Sequence, residues 1–214
     1  MKLFKHSMAL LLAVASSYAF ASNPVVEIKT NQGTIVAELF EDKAPVTVKN
    51  FLTYVDSGFY NGTLFHRSIP HFMVQGGGFA PGLKQKPTQA PIKNEASPSL
   101  PNKEGTLAMA RTNDPDSATS QFFINLNDNK HLNYYKPEPG YIGYAVFGKV
   151  LKGYEVAEKM GSVATHSAGA FEDVPDRDIV IESISRVAQA APPAAAPAKK
   201  PVKKKSSKKK ASKA

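Results

Sequence analysis

The run Phe65-His66-Arg67-Ser68-Ile69-Pro70-His71-Phe72-Met73-Val74-Gln75-Gly76-Gly77-Gly78 sets one arginine and one glutamine among aromatic, Met and Ile side chains, then closes on three glycines. Side chains of a strand alternate between its two faces. Strict alternation puts Phe65 and Arg67 on one side, and Phe72, Val74 and Gly76 opposite Met73 and Gln75. A guanidinium beside so much apolar surface is costly unless it has a partner or a task. Taken alone, Arg67 also fits an edge strand from which it snorkels to water. The three glycines carry no phosphate-loop signal, because neither a helix start nor a Lys-Ser/Thr pair follows them. They suit a sharp backbone turn instead.

Around this run the pattern is that of a mainly β chain. Residues 25–30 and 34–40 alternate on either side of Asn31-Gln32-Gly33 and predict a hairpin. The period then changes. Ala44-Pro45 opens a helix with proline in its first turn, Val48, Phe51, Leu52 and Val55 form one apolar face, and Gly58 stops it. Strand-like pieces recur at 64–69, 72–75, 106–110, 121–125 and 145–150. A second short helix is predicted over 154–160, ending at Gly161. In the last strand, 179–187, alternation groups Ile179, Ile181, Ser183, Ser185 and Val187 against Val180, Ile184 and their neighbours. Many short strands, Gly/Pro-rich connections and two helices argue for an antiparallel barrel or sandwich, and composition does not choose between them. The polar stretch 80–103, with five prolines, reads as a surface excursion. Asp114-Pro115-Asp116 reads as a turn, and His71 and His166 read as loop residues.

The ends differ from the middle. Residues 1–21 carry Lys2 and Lys5, the apolar run from Met8 to Val14, and Ala19-Phe20-Ala21. This is the layout of a secretory signal peptide, predicting export and a mature start at Ser22. Its apolar core falls short of the ~20 residues of a membrane span, and no second long apolar stretch follows, so no integral membrane segment is expected. Residues 188–214 hold nine lysines, from Lys199 to Lys213, among Ala, Pro and Ser, without an acidic or aromatic side chain. Such a composition predicts a disordered basic tail. Discounting these lysines and the two of the leader turns a net charge of +9 into −2 for residues 22–187. The absence of cysteine excludes disulfides and thiolate chemistry.

Further motifs repeat a known order. After Phe-His-Arg and Pro-x-Phe-Met-x-Gln-Gly-Gly come Gly105-Thr106-Leu107-Ala108-Met109-Ala110-Arg111, Ser120-Gln121-Phe122-Phe123-Ile124-Asn125 and Val146-Phe147-Gly148-Lys149-Val150, preceded by Lys43-Ala44-Pro45-Val46-Thr47-Val48-Lys49-Asn50-Phe51. Together they resemble the cyclophilins, the barrel-shaped peptidyl-prolyl isomerases, over nearly all of residues 24–187, and look most like the exported periplasmic members from Gram-negative bacteria. The resemblance implies a closed eight-stranded antiparallel β-barrel capped by two α-helices. It also implies rotation about X–Pro peptide bonds of proline-containing polypeptides by a monomer, in the periplasm or at the cell surface.

No bond is broken in that reaction, so neither cofactor nor metal is called for. Amide resonance sets a barrier of about 18–20 kcal/mol, which a donor to the proline nitrogen lowers as that atom becomes pyramidal. A permanently charged, forked guanidinium suits the task, and the motif match points to Arg67. By the same match Gln75 would hold the carbonyl side of the rotating bond and steady Arg67. Phe72, Met73, Phe123 and Leu132 would form the slot for the pyrrolidine ring, and Gln121 would belong to the substrate-binding set. The Ala110-Arg111 backbone would pair with the peptide as an added strand. Two positions depart from the common pattern: His131 stands where Trp or Phe is usual, and Tyr144 where His is frequent. Both are assigned to substrate binding, with weaker binding of cyclosporin-type ligands expected from His131. His66, with no second ligand at metal-like spacing, is expected to be structural. Two other readings stay open: a binding module that holds proline segments with incidental turnover, and a tail whose main role is to tether the domain to polyanions.

Overall fold

The computed structural model describes residues 23–188. The expected leader and basic tail therefore lie outside the described residues. In chain order the elements are β1 (Val25–Thr30), β2 (Gly33–Leu39), α1 (Pro45–Asp56), β3 (Thr63–Ile69), β4 (Met73–Gly76), β5 (Phe79–Ala80), β6 (Lys84–Gln85), β7 (Thr106–Met109) and β8 (Phe122–Asn125). A single 3-10 turn at Lys130–Leu132 precedes β9 (Val146–Lys152), α2 (Tyr154–Gly161), β10 (Thr165–Ala168), β11 (Phe171–Pro175) and β12 (Ile179–Arg186). Eight strands close a barrel in the order β1-β12-β3-β4-β8-β7-β9-β2, with every pair antiparallel. Closure leaves the barrel no free edge to template aggregation. Two small hairpins, β5–β6 and β10–β11, stand outside it. His166, expected in a loop, lies in β10, where its Nδ1 is 3.0 Å from Asp176 Oδ1. Among the described residues no helix is long and apolar enough to cross a membrane.

The barrel interior is filled by Val26, Ile28, Ile35, Ala37, Phe65, Val74, Leu107, Phe122, Ile124 and Phe147, with Val48, Phe51 and Val55 of α1 and Ala157 and Met160 of α2 packed in. The apolar face foreseen for α1 is the one that docks. Its first turn is satisfied from a distance: the Val46 and Thr47 N–H groups donate to the two carboxylate oxygens of Glu95, at 3.1 and 2.7 Å. A carboxylate at a helix N-terminus meets both the unpaired donors and the positive end of the dipole. Glu95 belongs to the 80–103 segment. Leu100 in the same stretch is buried and Ile92 bridges to Ala118, so this excursion is fastened down at several points.

Strict alternation fails at three places, two of them bulges and one a turn. In β3 the partner of Phe65 is Gly76 while that of Arg67 is Gln75, so His66 is an extra residue in the ladder. A bulge of this kind flips the side-chain parity beyond it. Phe65 therefore points into the core, whereas Arg67 shares the outer face with Met73 and Gln75 and does not share a side with Phe65. Phe72 likewise joins Met73, not Val74, because it enters β4 from a turn where His71 adopts φ 57°. In β12 the register shifts between Ser183 and Ile181, which brings Ile184 into the core beside Ile179 and Ile181. The glycine run turns as expected: Gly77 has φ 84°, and a Cβ there would sit 2.8 Å from the Tyr60 ring.

Candidate active site

A smaller apolar layer covers the outside of the wall formed by β4, β8, β7 and β9. It holds Met73, Leu100, Ala108, Phe123 and Val146, with Phe72, Leu132 and Tyr144 packed against it. Above this layer opens a cavity of about 250 Å³ lined by Arg67, Phe72, Met73, Gln75, Ala110, Arg111, Phe123, Leu132 and Tyr144. Strands supply Arg67 (β3), Met73 and Gln75 (β4) and Phe123 (β8); Leu132 ends the 3-10 turn and the others stand on the loops that rim the strands. Gln121 and His131 do not line it. Gln121 sits behind Gln75, whose side-chain Nε2 donates to Gln121 Oε1 at 2.9 Å. His131 is exposed and stacks on Phe72, with ring centroids 5.5 Å apart.

The aromatic and loop walls are held by buried amides. Asn102 Nδ2 donates to the carbonyls of Leu132 (3.0 Å) and Tyr144 (3.2 Å), and Asn125 Nδ2 donates to Asn102 Oδ1 (3.2 Å). Asn129 Nδ2 in turn donates to Asn125 Oδ1 (2.7 Å) and to the Phe72 carbonyl (2.8 Å). Each of these asparagines is almost wholly buried. A satisfied polar network of this sort fixes geometry more firmly than apolar packing alone. Tyr144 packs edge-on against Phe123 at 5.7 Å, and the Arg111 guanidinium lies 4.5 Å over the Tyr144 ring while its Nε donates to Gly143 O.

Among the described residues, Arg67 is tied at one end only. Its Nε lies 3.4 Å from Asp173 Oδ2 of β11, and the pair is more than a third exposed. This tie comes from Asp173, while the contact of Gln75 runs to Gln121 and not to Arg67. Asp173 itself has φ 57°, a left-handed conformation uncommon for a residue other than glycine. Neither Asp173 nor the asparagine trio is singled out by the sequence reading. The one available signal is Asn125, a polar residue that ends the apolar strand Phe-Phe-Ile-Asn.

His66, at the bulge, is 5 % exposed, and its Nδ1 has no partner among the described residues. Burial, with the positive charge of Arg67 adding to it, holds the imidazole pKa down at about 4 against an ordinary 6.5. The unfolded chain therefore takes up this proton first as pH falls. The stabilisation is full above pH 6.5 and is lost between 6.5 and 4, by up to about 3 kcal/mol. Denaturant midpoints across that interval are expected to slope less for His66→Phe than for the parent. Parallel profiles would contradict this reading.

A family model described as "Cyclophilin type peptidyl-prolyl cis-trans isomerase/CLD" matches residues 25–186. A peptidyl-prolyl cis-trans isomerase of Acinetobacter baylyi is 55% identical over 169 residues, covering 79% of this chain and 88% of the relative. Peptidyl-prolyl cis-trans isomerase B of Escherichia coli is 55% identical over 161 residues, covering 75% and 98%. Among solved structures, a cyclophilin-type isomerase of Cryptosporidium parvum, crystallised in the presence of the dipeptide Ala-Pro, superposes with a TM-score of 0.64 at 30% identity, covering 77% of this chain and 99% of the other. With fold, motif order and relatives in agreement, the chain belongs to the cyclophilin family and is a peptidyl-prolyl cis-trans isomerase.

Proposed function

We propose that X–Pro bonds rotate in the cavity bounded by Arg67 and Gln75 on one side and Phe72, Met73, Phe123 and Leu132 on the other. The observation that carries this reading is convergence. Nine residues from separated stretches, each assigned to the site by motif, line one cavity. The Ala-Pro dipeptide named with the Cryptosporidium neighbour agrees with a proline-sized slot. The pyrrolidine ring enters against Phe123 and Met73, which are rigid because their backbones belong to the barrel. Gln75, steadied by Gln121, holds the carbonyl of the turning bond. Arg67 donates from a terminal guanidinium nitrogen to the proline nitrogen as amide resonance is lost, while Asp173 occupies Nε. A donor already in place in a poorly hydrated pocket costs no reorganisation at the moment of rotation. The Ala110 N–H is committed to the Gln121 carbonyl, so strand-like pairing with substrate uses the Ala110 carbonyl and the Arg111 N–H.

Truncating Phe123 tests the slot. Losing a buried aromatic contact to the prolyl ring costs ~1.5–3 kcal/mol of binding, tenfold or more. Phe123→Ala is expected to raise KM by at least about tenfold while kcat changes much less. A fall in kcat at constant KM would contradict the assignment. A milder effect is expected at Asp173. An exposed ion pair is worth ~0.2–1 kcal/mol, so Asp173→Asn should lower kcat by roughly two- to fivefold. It should add nothing in an Arg67→Ala background, and an additive loss there would show that Asp173 does not act through Arg67.

In the cell, the reading places this enzyme outside the cytoplasm, acting on exported proteins as they fold. Support comes from the leader-like residues 1–21. Residues 188–214 tether it to anionic surfaces through their nine lysines, each worth about 1 kcal/mol near such a surface and weakened by salt. Export predicts a chain beginning at Ser22 in the exported fraction. Tethering predicts that the chain of residues 22–214 leaves heparin at higher salt than one ending at Val187. Co-elution would remove the tethering role.

A further inference from the structure

On the far side of Arg67 lies a second depression of about 360 Å³, walled by His66, Phe79, Gln121, Phe171 and Glu172. Arg67 and Gln75 line both hollows and form the ridge between them. Successive Cα atoms of a polypeptide are about 3.8 Å apart. A chain with a prolyl ring in the first hollow thus brings a neighbouring side chain over that ridge.

The second hollow has a particular chemistry. The rings of His66 and Phe79 meet at 4.6 Å, those of Phe79 and Phe171 at 5.1 Å and 84°, and those of His66 and Phe171 at 6.4 Å. His66 and Phe79 are buried, whereas Phe171 is only half-buried and keeps ring surface open. Phe171 is carried by the β10–β11 hairpin, which packs against β3 and also supplies Asp173 to Arg67. The rim carries one cation, Arg67, and one anion, Glu172, so neither sign of charge is favoured there.

We propose that this depression is a second substrate subsite, and that it takes a large aromatic side chain from a residue flanking the proline. The proposal rests on the reading that the first cavity holds the prolyl ring. An incoming ring extends the edge-to-face cluster, and such contacts contribute beyond the area they bury. A short side chain at the same place spans the ridge without reaching the cluster. The hairpin thereby acts as a specificity element for the known reaction.

The experiment measures kcat/KM by NMR exchange spectroscopy on Ala-Ala-Pro-Ala-Ala and on two versions with Phe directly before or directly after the proline. The parent enzyme is expected to favour at least one Phe peptide over the all-alanine peptide by roughly fivefold, the scale of one aromatic contact. Phe171→Ala should abolish that preference while leaving the all-alanine rate within about twofold. A parent without preference overturns the subsite, as does a preference that survives in Phe171→Ala. An equal loss on all three peptides also overturns it, since Phe171 would then serve only to support Arg67. Arg67→Ala, run on the all-alanine peptide, reports on the first cavity separately. An undiminished rate there removes the cavity reading whatever Phe171 does.

Discussion

Arg67→Ala is expected to lower kcat/KM for a short X–Pro peptide by roughly 10²–10³, the scale of losing one preorganised donor. Most of the loss should fall on kcat if, as proposed, the guanidinium acts when the proline nitrogen acquires its lone pair and little before that. The fold should survive. Arg67 lies on the outer face of β3, is more than a third exposed, and its ion pair with Asp173 is of the weak surface kind. Unchanged circular dichroism and an unfolding free energy within about 1 kcal/mol of the parent would confirm that the defect is chemical. Arg67→Lys should recover little, since an ammonium lacks the planar fork that lets one nitrogen face Asp173 while another faces substrate.

Phe51→Ala is expected to have the largest effect on stability, about 3–5 kcal/mol. Phe51 is wholly buried and carries α1 into the barrel, with ring centroids 5.2 Å from Tyr60, 5.3 Å from Phe122 and 5.1 Å from Phe147. Its ring neighbours Tyr60, Phe122 and Phe147 are themselves wholly buried in the same core, so the gap would close only in part. A domain commonly has only 5–15 kcal/mol in total. The variant should therefore unfold at much lower denaturant with an unchanged slope. A loss below about 1 kcal/mol would mean that α1 is not anchored through this ring.

Much of this architecture is legible in the residues. The β1–β2 hairpin, both helices and most barrel strands follow from side-chain period and from Gly and Pro placement, and their ends shift by only a residue or two. The parity of Arg67 does not follow, because a bulge at His66 leaves no mark in an alternating pattern. Ile184 in β12 was hidden by the same device. The cap of α1 was equally invisible, since Glu95 reaches it across 48 residues. Of the wall-setting amides, Asn102 and Asn129 look like loop residues and Asn125 like the end of a strand until the fold brings them together. The β10–β11 hairpin, whose residues are mostly polar and exposed, shows no apolar run that would single out Phe171 or Asp173. The residues named by motif resemblance nonetheless line one cavity, apart from two outliers. Gln121 stands one layer back, and His131 sits at the outer edge against Phe72.

Rotation in the Arg67 cavity and its need for the guanidinium can be observed in one experiment. NMR on ¹⁵N-labelled enzyme with an unlabelled Ala-Ala-Pro-Ala-Ala peptide tests both halves together. Amide shifts locate the peptide, and exchange cross-peaks of the peptide report its cis–trans interconversion. The account predicts shifts gathered at Met73, Gln75, Ala110, Arg111 and Phe123 in both the parent and Arg67→Ala, with enzyme-dependent exchange in the parent alone. Full exchange in Arg67→Ala, or shifts gathered away from this cavity, would contradict it.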